Sequence, residues 1–553
     1  MGRIGWMAAV FALGIGLSSA DAAETGRRPN IVVILLDDLG FSDLGCYGGE
    51  IRTPNIDRLA AEGVRFTRFY NAARCCPTRA SLLTGLYAHQ VGLDLNGRTL
   101  THDGATIAEL LRSHGYQTAM AGKWHLSETA PLKGNPSGPE HFAWLNHRAD
   151  RDRPFARLDT YPVARGFDRH FGPIWGVVDY FDPFSLVEGT QSVPEVPEDF
   201  YLTDAITAKS VDYIRAMATA DQPFFLYVAH CAPHWPLHAR PEDIARYRNT
   251  YRDGWHAMRR DRYRRQIERG LIDPKRYPLP ALMGHGPDWD ALGPEDRAHE
   301  SALMAVHAAM VDRVDQGVGA MIESLRTTGQ LENTAIFLLA DNGASPERYR
   351  DPGFDRASTT REGRPIQYRG RFDPGPETTW GYIGSRWANA ANTPFRYWKA
   401  ESFEGGCHTP MIIRWPAGPI PRPGSTTDRI GHVIDLMPTC LELAGAAYPK
   451  TFEGHRIRPV EGQSLVAILR GQETIQPRPL FFEHEGGRAV IASGWKLVAR
   501  RGGPWELYHL DQDATETRDL AGAQPERVRE MEDLWQSWAR RVGARRPADS
   551  RGH

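Results

Sequence analysis

The sequence predicts an α/β fold, a sandwich around a mostly parallel sheet with a smaller antiparallel sheet at the C-terminal end. Three observations carry this. Runs of apolar, β-branched residues alternate with helical stretches. Polar residues gather where those runs end. The last quarter breaks into short strands separated by glycines and acidic residues.

Asn30 to Leu36 is nearly all apolar and reads as a buried parallel strand, with Asp37 and Asp38 at its carboxyl end. Thr53-Pro54 fits a cap and first-turn proline for a helix running to Gly63. Thr106 and Glu109 form a capping-box pattern, and Gly115 fits the C′ position of that helix. A short strand, Gln117 to Ala121, leads into Gly122-Lys123-Trp124-His125. Pro223 to Ala229 ends at His230-Cys231-Ala232-Pro233-His234, and Asn333 to Ala340 ends at Asp341-Asn342-Gly343. Thr409 to Trp415 reads as a strand and Ala302 to Arg326 as helical. Open α/β sheets place their sites where strands end, so these polar clusters matter.

Leu480 to His484, Ala489 to Ile491, Trp495 to Ala499 and Trp505 to His509 predict the second sheet, closed by a helix from Gln524 to Val542. The expected organisation is a leader at 1–22, a main domain at 23–474 and an α+β subdomain at 475–553. Gly, Gln and Pro collect near that last boundary, between Arg470 and Arg478. In the leader, Arg3 gives a positive start, Ile4 to Leu17 is largely apolar, and Ala20-Asp21-Ala22 fits a cleavage site. The apolar stretch is shorter than the roughly 20 residues needed to cross a bilayer. A periplasmic or secreted protein without stable membrane insertion is therefore expected. Arg240 to Arg297 and Ala344 to Pro376 read as irregular, either loops over the active end of the sheet or plain surface insertions.

Basic and acidic side chains nearly cancel, 66 against 68, for a formal charge of -2. That balance gives no support for nucleic acid or an anionic membrane as the main partner. Six cysteines in 553 residues do not make a disulfide scaffold. No feature specifies an oligomeric state.

Asp37, Asp38, Asp341 and Asn342 offer hard oxygen ligands, which suit calcium or magnesium. Capping and turn formation are the other uses of such residues. Cys75-Cys76-Pro77-Thr78-Arg79 stands just before Ala80 to Gly85. Pro77 fits a first helical turn, whose N–H groups and dipole would face nearby anions. Arg79 adds a fixed charge. A buried free thiol is the alternative for Cys75. Lys123 and His125 would share one face of an extended segment, one holding an anion and the other moving protons. His234, between Pro233 and Pro236, sits in a stiff loop that suits a general acid. Lys399 has a weaker local case, and Asn96 and Arg98 border the same region without an assigned role. Trp175, Tyr180, Phe181 and Phe184 fit either an aromatic substrate pocket or ordinary core packing.

Two segments resemble motifs of the sulfatase family, and most closely those of bacterial arylsulfatases. They are Cys75 to Gly85, and Gly115-Tyr116-Gln117-Thr118 followed by Gly122 to His125. The Asp37-Asp38 strand end, the Pro233 to Pro236 loop, Asp341-Asn342-Gly343 and the lysine-bearing block Asn392 to Pro410 follow in family order. The resemblance implies an alkaline-phosphatase-like fold and hydrolysis of sulfate monoesters to an alcohol or phenol plus inorganic sulfate. It implies that a formylglycine-generating enzyme converts Cys75 to formylglycine (3-oxoalanine) before folding and export. The hydrate would offer one hydroxyl for attack and a second whose loss of a proton frees sulfate. By the same resemblance Asp37, Asp38, residue 75, Asp341 and Asn342 hold calcium, with magnesium as the other choice. Arg79 would steady residue 75, Lys123 and Lys399 would grip sulfate, His125 would contact the hydroxyls, and His234 would protonate the leaving oxygen. Thr78 replaces the commoner serine, and Cys76 fills a variable position. The expected partner is a small-molecule sulfate ester, aryl sulfates foremost, although the residues alone do not separate aryl, sugar and alkyl esters. A phosphodiesterase or phosphonate hydrolase with the same machinery is the rival enzyme, and a sulfated-glycan binding protein is the rival of another class.

Overall fold

The computed structural model describes residues 27–129, 154–353, 355–418, 420, 422–472 and 477–544. The expected leader at 1–22 and the expected boundary between 474 and 475 lie outside them. Among the described residues no helix is long and apolar enough to cross a membrane.

One sheet holds β1 (Asn30–Leu36), β2 (Val64–Tyr70), β3 (Gln117–Gly122), β4 (Arg169–Pro173), β5 (Leu186–Glu188), β6 (Gln191–Ser192), β7 (Phe224–Ala229), β8 (Thr334–Ala340), β9 (His408–Arg414), β10 (Ser425–Thr427) and β11 (Gly431–His432). The order is β10-β2-β9-β8-β1-β7-β3-β4-β5-β6, with β11 beside β2. The central strands β8, β1, β7 and β3 are parallel neighbours. β9 runs against both of its neighbours, and β4, β5 and β6 pair antiparallel.

β1 is apolar throughout because both its faces are covered. Val32, Ile34 and Leu36 join one core, with Ile206 and Ile214 of the helix Leu202–Met217 and Val306 and Met310 of the helix Pro294–Thr327. Ile31, Val33 and Leu35 join the other, with Leu82, Ile107 and Met437. These last three sit on α2 (Cys75–Thr84), α3 (Ile107–Ser113) and the helix Leu436–Ala444. The capping box on α3 forms as predicted: Glu109 N–H donates to Thr106 Oγ1 at 3.0 Å, and Thr106 N–H to Glu109 Oε2 at 2.7 Å. Gly115 follows with φ +81°, a left-handed turn natural to glycine.

One expectation needs correction. The stretch Arg240 to Arg297 is not irregular, since it holds the helices Pro241–Ala245 and Gly254–Glu268. Its charges read as surface, yet Arg262 is fully buried and bonds Asp43 at 2.6 Å and Glu50 at 2.7 Å. β2 and β4 escape the periodicity argument because Arg65, Arg68 and Arg169 interrupt their apolar runs. The stretch Ala344 to Pro376 does lack regular structure among the described residues, apart from isolated bridges such as Thr359 to Pro365.

A small hairpin, β12 (Thr451–Phe452) with β13 (His455–Arg456), precedes the second sheet. That sheet runs β14 (Leu480–His484), β15 (Gly487–Ala492), β16 (Trp495–Ala499) and β17 (Glu506–His509), all antiparallel. Its residues alternate between two cores. Phe481, Val490, Leu497 and Leu507 meet Trp535 and Trp538 of the closing helix Pro525–Val542. Phe482, Ile491, Val498 and Tyr508 pack into a core of the main sheet.

Candidate active site

The four central parallel strands end side by side. β8 delivers Asp341 and Asn342, β1 delivers Asp37 and Asp38, β7 leads to His234, and β3 leads to Lys123 and His125. The backbone bends sharply here. Asp38 has φ +64° and His125 φ +57°, while Ala73 (+61°) precedes Cys75 and Ala400 (+72°) follows Lys399. Such left-handed residues cost about 1–3 kcal/mol each, and the surrounding structure must hold them. The expected extended segment with Lys123 and His125 on one face is therefore corrected: the chain turns at His125. Both side chains nevertheless reach the same place. Ligand atoms of Cys75, Cys76 and His125 lie within 4.8 Å of one another, and the Lys123 charge acts directly on the Cys75 thiol.

Three carboxylates meet three cations. Lys123 donates to Asp37, and Lys399 Nζ lies 2.8 and 2.9 Å from the two oxygens of Asp38. Arg79 donates to Asp341 Oδ2 from Nε at 3.1 Å and Nη2 at 2.8 Å, and Nη2 is 3.4 Å from Asp37. Burial would raise the Asp37 carboxyl, but Lys123, His234 and Arg79 outweigh it and hold it at about 2. Burial and the adjacent Asp37 push Asp341 up, the sign of crowded negative charge. The Asn342 amide donates to Asp38 Oδ1 at 2.6 Å, which fixes its orientation. Two acceptors are then left over: Asp37 Oδ1 and Asn342 Oδ1 are buried and accept no hydrogen bond. Orphaned buried oxygens in an all-oxygen donor set fit a hard divalent cation. The ligand atoms of Asp37, Asp38 and His234 also lie within 4.8 Å of one another.

Cys75 opens α2 and is 2% exposed. Its sulfur stands where the oxygens of a formylglycine hydrate would be if residue 75 is converted as the resemblance implies. The neighbouring Cys76 thiol, with the Lys123 and His125 side chains, pulls its pKa well down against burial. The Cys76 thiol donates to the His125 carbonyl at 3.1 Å. All six cysteines are free thiols. Arg79 also donates to the Lys123 carbonyl at 2.9 Å, so it ties α2 to β3 and β8 at once. Burial lowers His125 to about 4, keeping the ring neutral near pH 7. His234 Nδ1 lies 2.6 Å from the Trp235 carbonyl, which can only accept, so Nδ1 carries the hydrogen. Nε2 then faces Asp38 Oδ2 at 3.5 Å.

The aromatic quartet divides. Tyr180 and Phe184 are core residues, 1% and 0% exposed, and Phe181 packs on Tyr201. Two reach the site: Trp175 lies 6.2 Å from the His125 ring, and the buried Tyr180 hydroxyl donates to the His234 carbonyl at 2.9 Å. Asn96 is exposed, and Arg98 pairs with Asp94 at 2.5 Å. Sequence reasoning missed Arg74, Trp235 and Glu347; Arg74 and Trp235 both bond Glu347, which also reaches Lys399. Trp235 stood within a motif already noted, whereas a lone glutamate in an arginine-rich loop carries no signal.

A family model described as Sulfatase matches residues 29–446, and one described as N-sulphoglucosamine sulphohydrolase, C-terminal, matches residues 396–540. An uncharacterized sulfatase of Schizosaccharomyces pombe is 32% identical over 92% of this chain and 93% of its own. An arylsulfatase of Klebsiella aerogenes is 32% identical over 82% of this chain and 94% of its own. The solved structure of Ps i-CgsB in complex with k-i-k-neocarrahexaose superposes with a TM-score of 0.64 at 24% identity, covering 93% of each chain, and so shares the fold. The family model spans the whole strand-end constellation around Cys75, and on that ground this chain belongs to the sulfatase family, hydrolases of sulfuric esters that work through a formylglycine made from cysteine.

Proposed function

We propose that the chain hydrolyses aryl sulfate monoesters, with each side chain in the role its position suits. The observation that carries this is the convergence of Lys123, His125, His234 and Lys399 on Cys75 and the four oxygen ligands. Hydrated formylglycine at position 75 would supply the attacking oxygen, and a divalent metal held by Asp37, Asp38, Asp341 and Asn342 would supply Lewis acidity.

The chain's own groups do the rest. Each lysine carries three N–H donors, so Lys123 and Lys399 can keep their carboxylates and still hold a sulfuryl oxygen. Arg79 anchors the first turn of α2 against two strands, which fixes residue 75 in line for attack. His234 keeps its Nδ1 hydrogen on the Trp235 carbonyl, so a second proton enters at Nε2. Burial and Lys399 lower its pKa. A bound ester adds negative charge beside the ring, favours that second proton, and readies it for the leaving oxygen. Neutral His125 is placed to take a proton from residue 75 when sulfate departs.

Two indoles flank the two histidines, Trp175 by His125 and Trp235 by His234, with ring centroids 6.2 and 4.6 Å apart. That supports a flat leaving group. A second reading, a sulfated oligosaccharide, draws on the carbohydrate held by Ps i-CgsB. The test is kcat/KM across aryl, sugar and alkyl sulfates, with a phosphate diester and a phosphonate monoester as rivals. Aryl sulfates should lead. A sugar sulfate in first place would replace the aryl assignment, and a phosphonate in first place would replace the sulfatase one. Calcium as the resident ion, residues 1–22 as an export signal, and division of the mature chain near 474 belong to the same proposal.

A further inference from the structure

Glu347 lies in the irregular loop after β8, outside every motif, and is mostly buried at 16% side-chain exposure. Four donors from four segments converge on its carboxylate. Arg74, the residue before Cys75, donates from Nη1 to Oε1 at 3.0 Å. Trp235 Nε1 donates to Oε2 at 2.7 Å, Ser345 Oγ at 3.0 Å, and Lys399 Nζ at 3.4 Å. These segments hold the nucleophile, the proposed acid and the late lysine. A surface ion pair would not be built this way. Burying a carboxylate is costly unless its lone pairs are filled, and here they are.

We infer that Glu347 is a positioning residue for sulfate ester hydrolysis, an inference that rests on the roles given above to Lys399 and His234. Asp38 holds the Lys399 ammonium closely, at 2.8 and 2.9 Å, and Glu347 at 3.4 Å is the second, looser anion that sets its direction. Its bond to the indole N–H fixes Trp235. The Trp235 ring lies 4.6 Å from the His234 ring, and its carbonyl receives the Nδ1 hydrogen. One carboxylate therefore sets the sulfate grip and the aim of the proton donor together. A misplacement of about 1 Å in such a group costs on the order of 100-fold in rate.

The test compares Glu347→Gln and Trp235→Phe with wild type on aryl sulfates of graded leaving-group acidity, with inorganic sulfate as inhibitor. Glu347→Gln keeps the shape but drops a negative charge beside the anion site. The expected result is kcat down ~10- to 100-fold, most for the poorest leaving groups, while sulfate inhibits as well as before or better. Trp235→Phe should reproduce the leaving-group dependence without changing sulfate inhibition. A purely structural role predicts an equal loss for all leaving groups, tracking a lower melting temperature. That result overturns the inference, as does a kcat for Glu347→Gln within about twofold of wild type. Lys399→Ala and His234→Ala are the references. If neither impairs turnover, the reading of the site falls and this inference with it; if both do and Glu347→Gln does not, only this inference falls.

Discussion

Among the buried clusters of charge, two bear comparison, one at the strand ends and one where the second sheet meets the first. They are finished differently. In the second cluster every carboxylate oxygen has either a hydrogen-bond donor or a cation at ion-pair distance. Glu404 Oε1 has Lys496 at 2.8 Å, and Oε2 has His408 at 2.7 Å and Tyr70 at 3.1 Å. Glu516 Oε1 accepts no hydrogen bond but lies 2.9 Å from the Lys496 ammonium, and Oε2 accepts the Glu404 N–H at 3.0 Å. At the strand ends Asp37 Oδ1 and Asn342 Oδ1 have neither, while a left-handed residue is common to both clusters, Asp38 (φ +64°) in one and Glu516 (φ +59°) in the other. A closed network fixes how two layers pack, whereas buried acceptors with neither a donor nor a cation are open to something that binds. Substitutions should therefore cost rate in one cluster and stability in the other.

The largest expected effect is at Cys75. Cys75→Ala should reduce turnover by ~10⁴-fold or more, as loss of a nucleophile does, with a melting curve close to wild type. Mass spectrometry of the wild-type peptide around position 75 should find sulfur and two hydrogens lost and one oxygen gained. Unconverted cysteine at full activity would falsify the nucleophile. A large drop in melting temperature would break the comparison, by showing that the strand-end cluster also holds the fold.

Next is Lys496→Met. Removing the shared ammonium leaves Glu404 and Glu516 buried without it, a loss of about 3–5 kcal/mol. Urea unfolding should show it as a lower midpoint, while kcat on the folded enzyme stays within about twofold. The same cluster gives a pH signature. Burial, against Lys496, pushes Glu516 up to about 7 from 4.5, while Lys496 and His408 outweigh burial at Glu404 and hold it at about 2. A carboxyl whose folded pKa is raised contributes stability that is present below its unfolded pKa and is lost as pH rises through the folded one. Between pH 5 and pH 8 wild type should lose about 3 kcal/mol relative to Glu516→Gln. Parallel pH profiles would show that Glu516 is ionised throughout, and that the cluster is closed by charge alone.

The contrast was half legible in the sequence. Period and composition placed β1, β3, β7 and β8, and polar residues at their ends gave the strand-end cluster before any coordinates. Those residues sit next to their strands, so sequence adjacency carries the information. Glu404, Glu516 and Lys496 are brought together only by packing of one sheet on the other, and nothing local marks them. The same holds for Glu347 and for Arg262, whose helix reads as irregular from the sequence because two of its arginines, Arg259 and Arg262, occupy buried positions. His125 shows the limit within a recognised motif: the residue was found, but its left-handed turn was not, because a strand leading into a histidine predicts continued extension.

The smallest effect asks how complete the closed cluster is. Tyr70 and His408 both donate to Glu404 Oε2, the phenol at 3.1 Å and the imidazole at 2.7 Å. Tyr70→Phe removes the longer bond and leaves the shorter one. The ring keeps its place, since His408 and Phe482 pack against it at 5.1 and 5.9 Å. The acceptor is still satisfied, so the cost should be that of one hydrogen bond, about 1 kcal/mol. His408→Phe removes the shorter bond and also the one to the Thr67 carbonyl at 2.7 Å, and should cost more. If Tyr70→Phe cost as much as Lys496→Met, the phenol could not be a spare donor. The cluster would then be held at its limit, as sparingly satisfied as the strand ends, and the difference between the two would lie in what binds there and not in how each is closed.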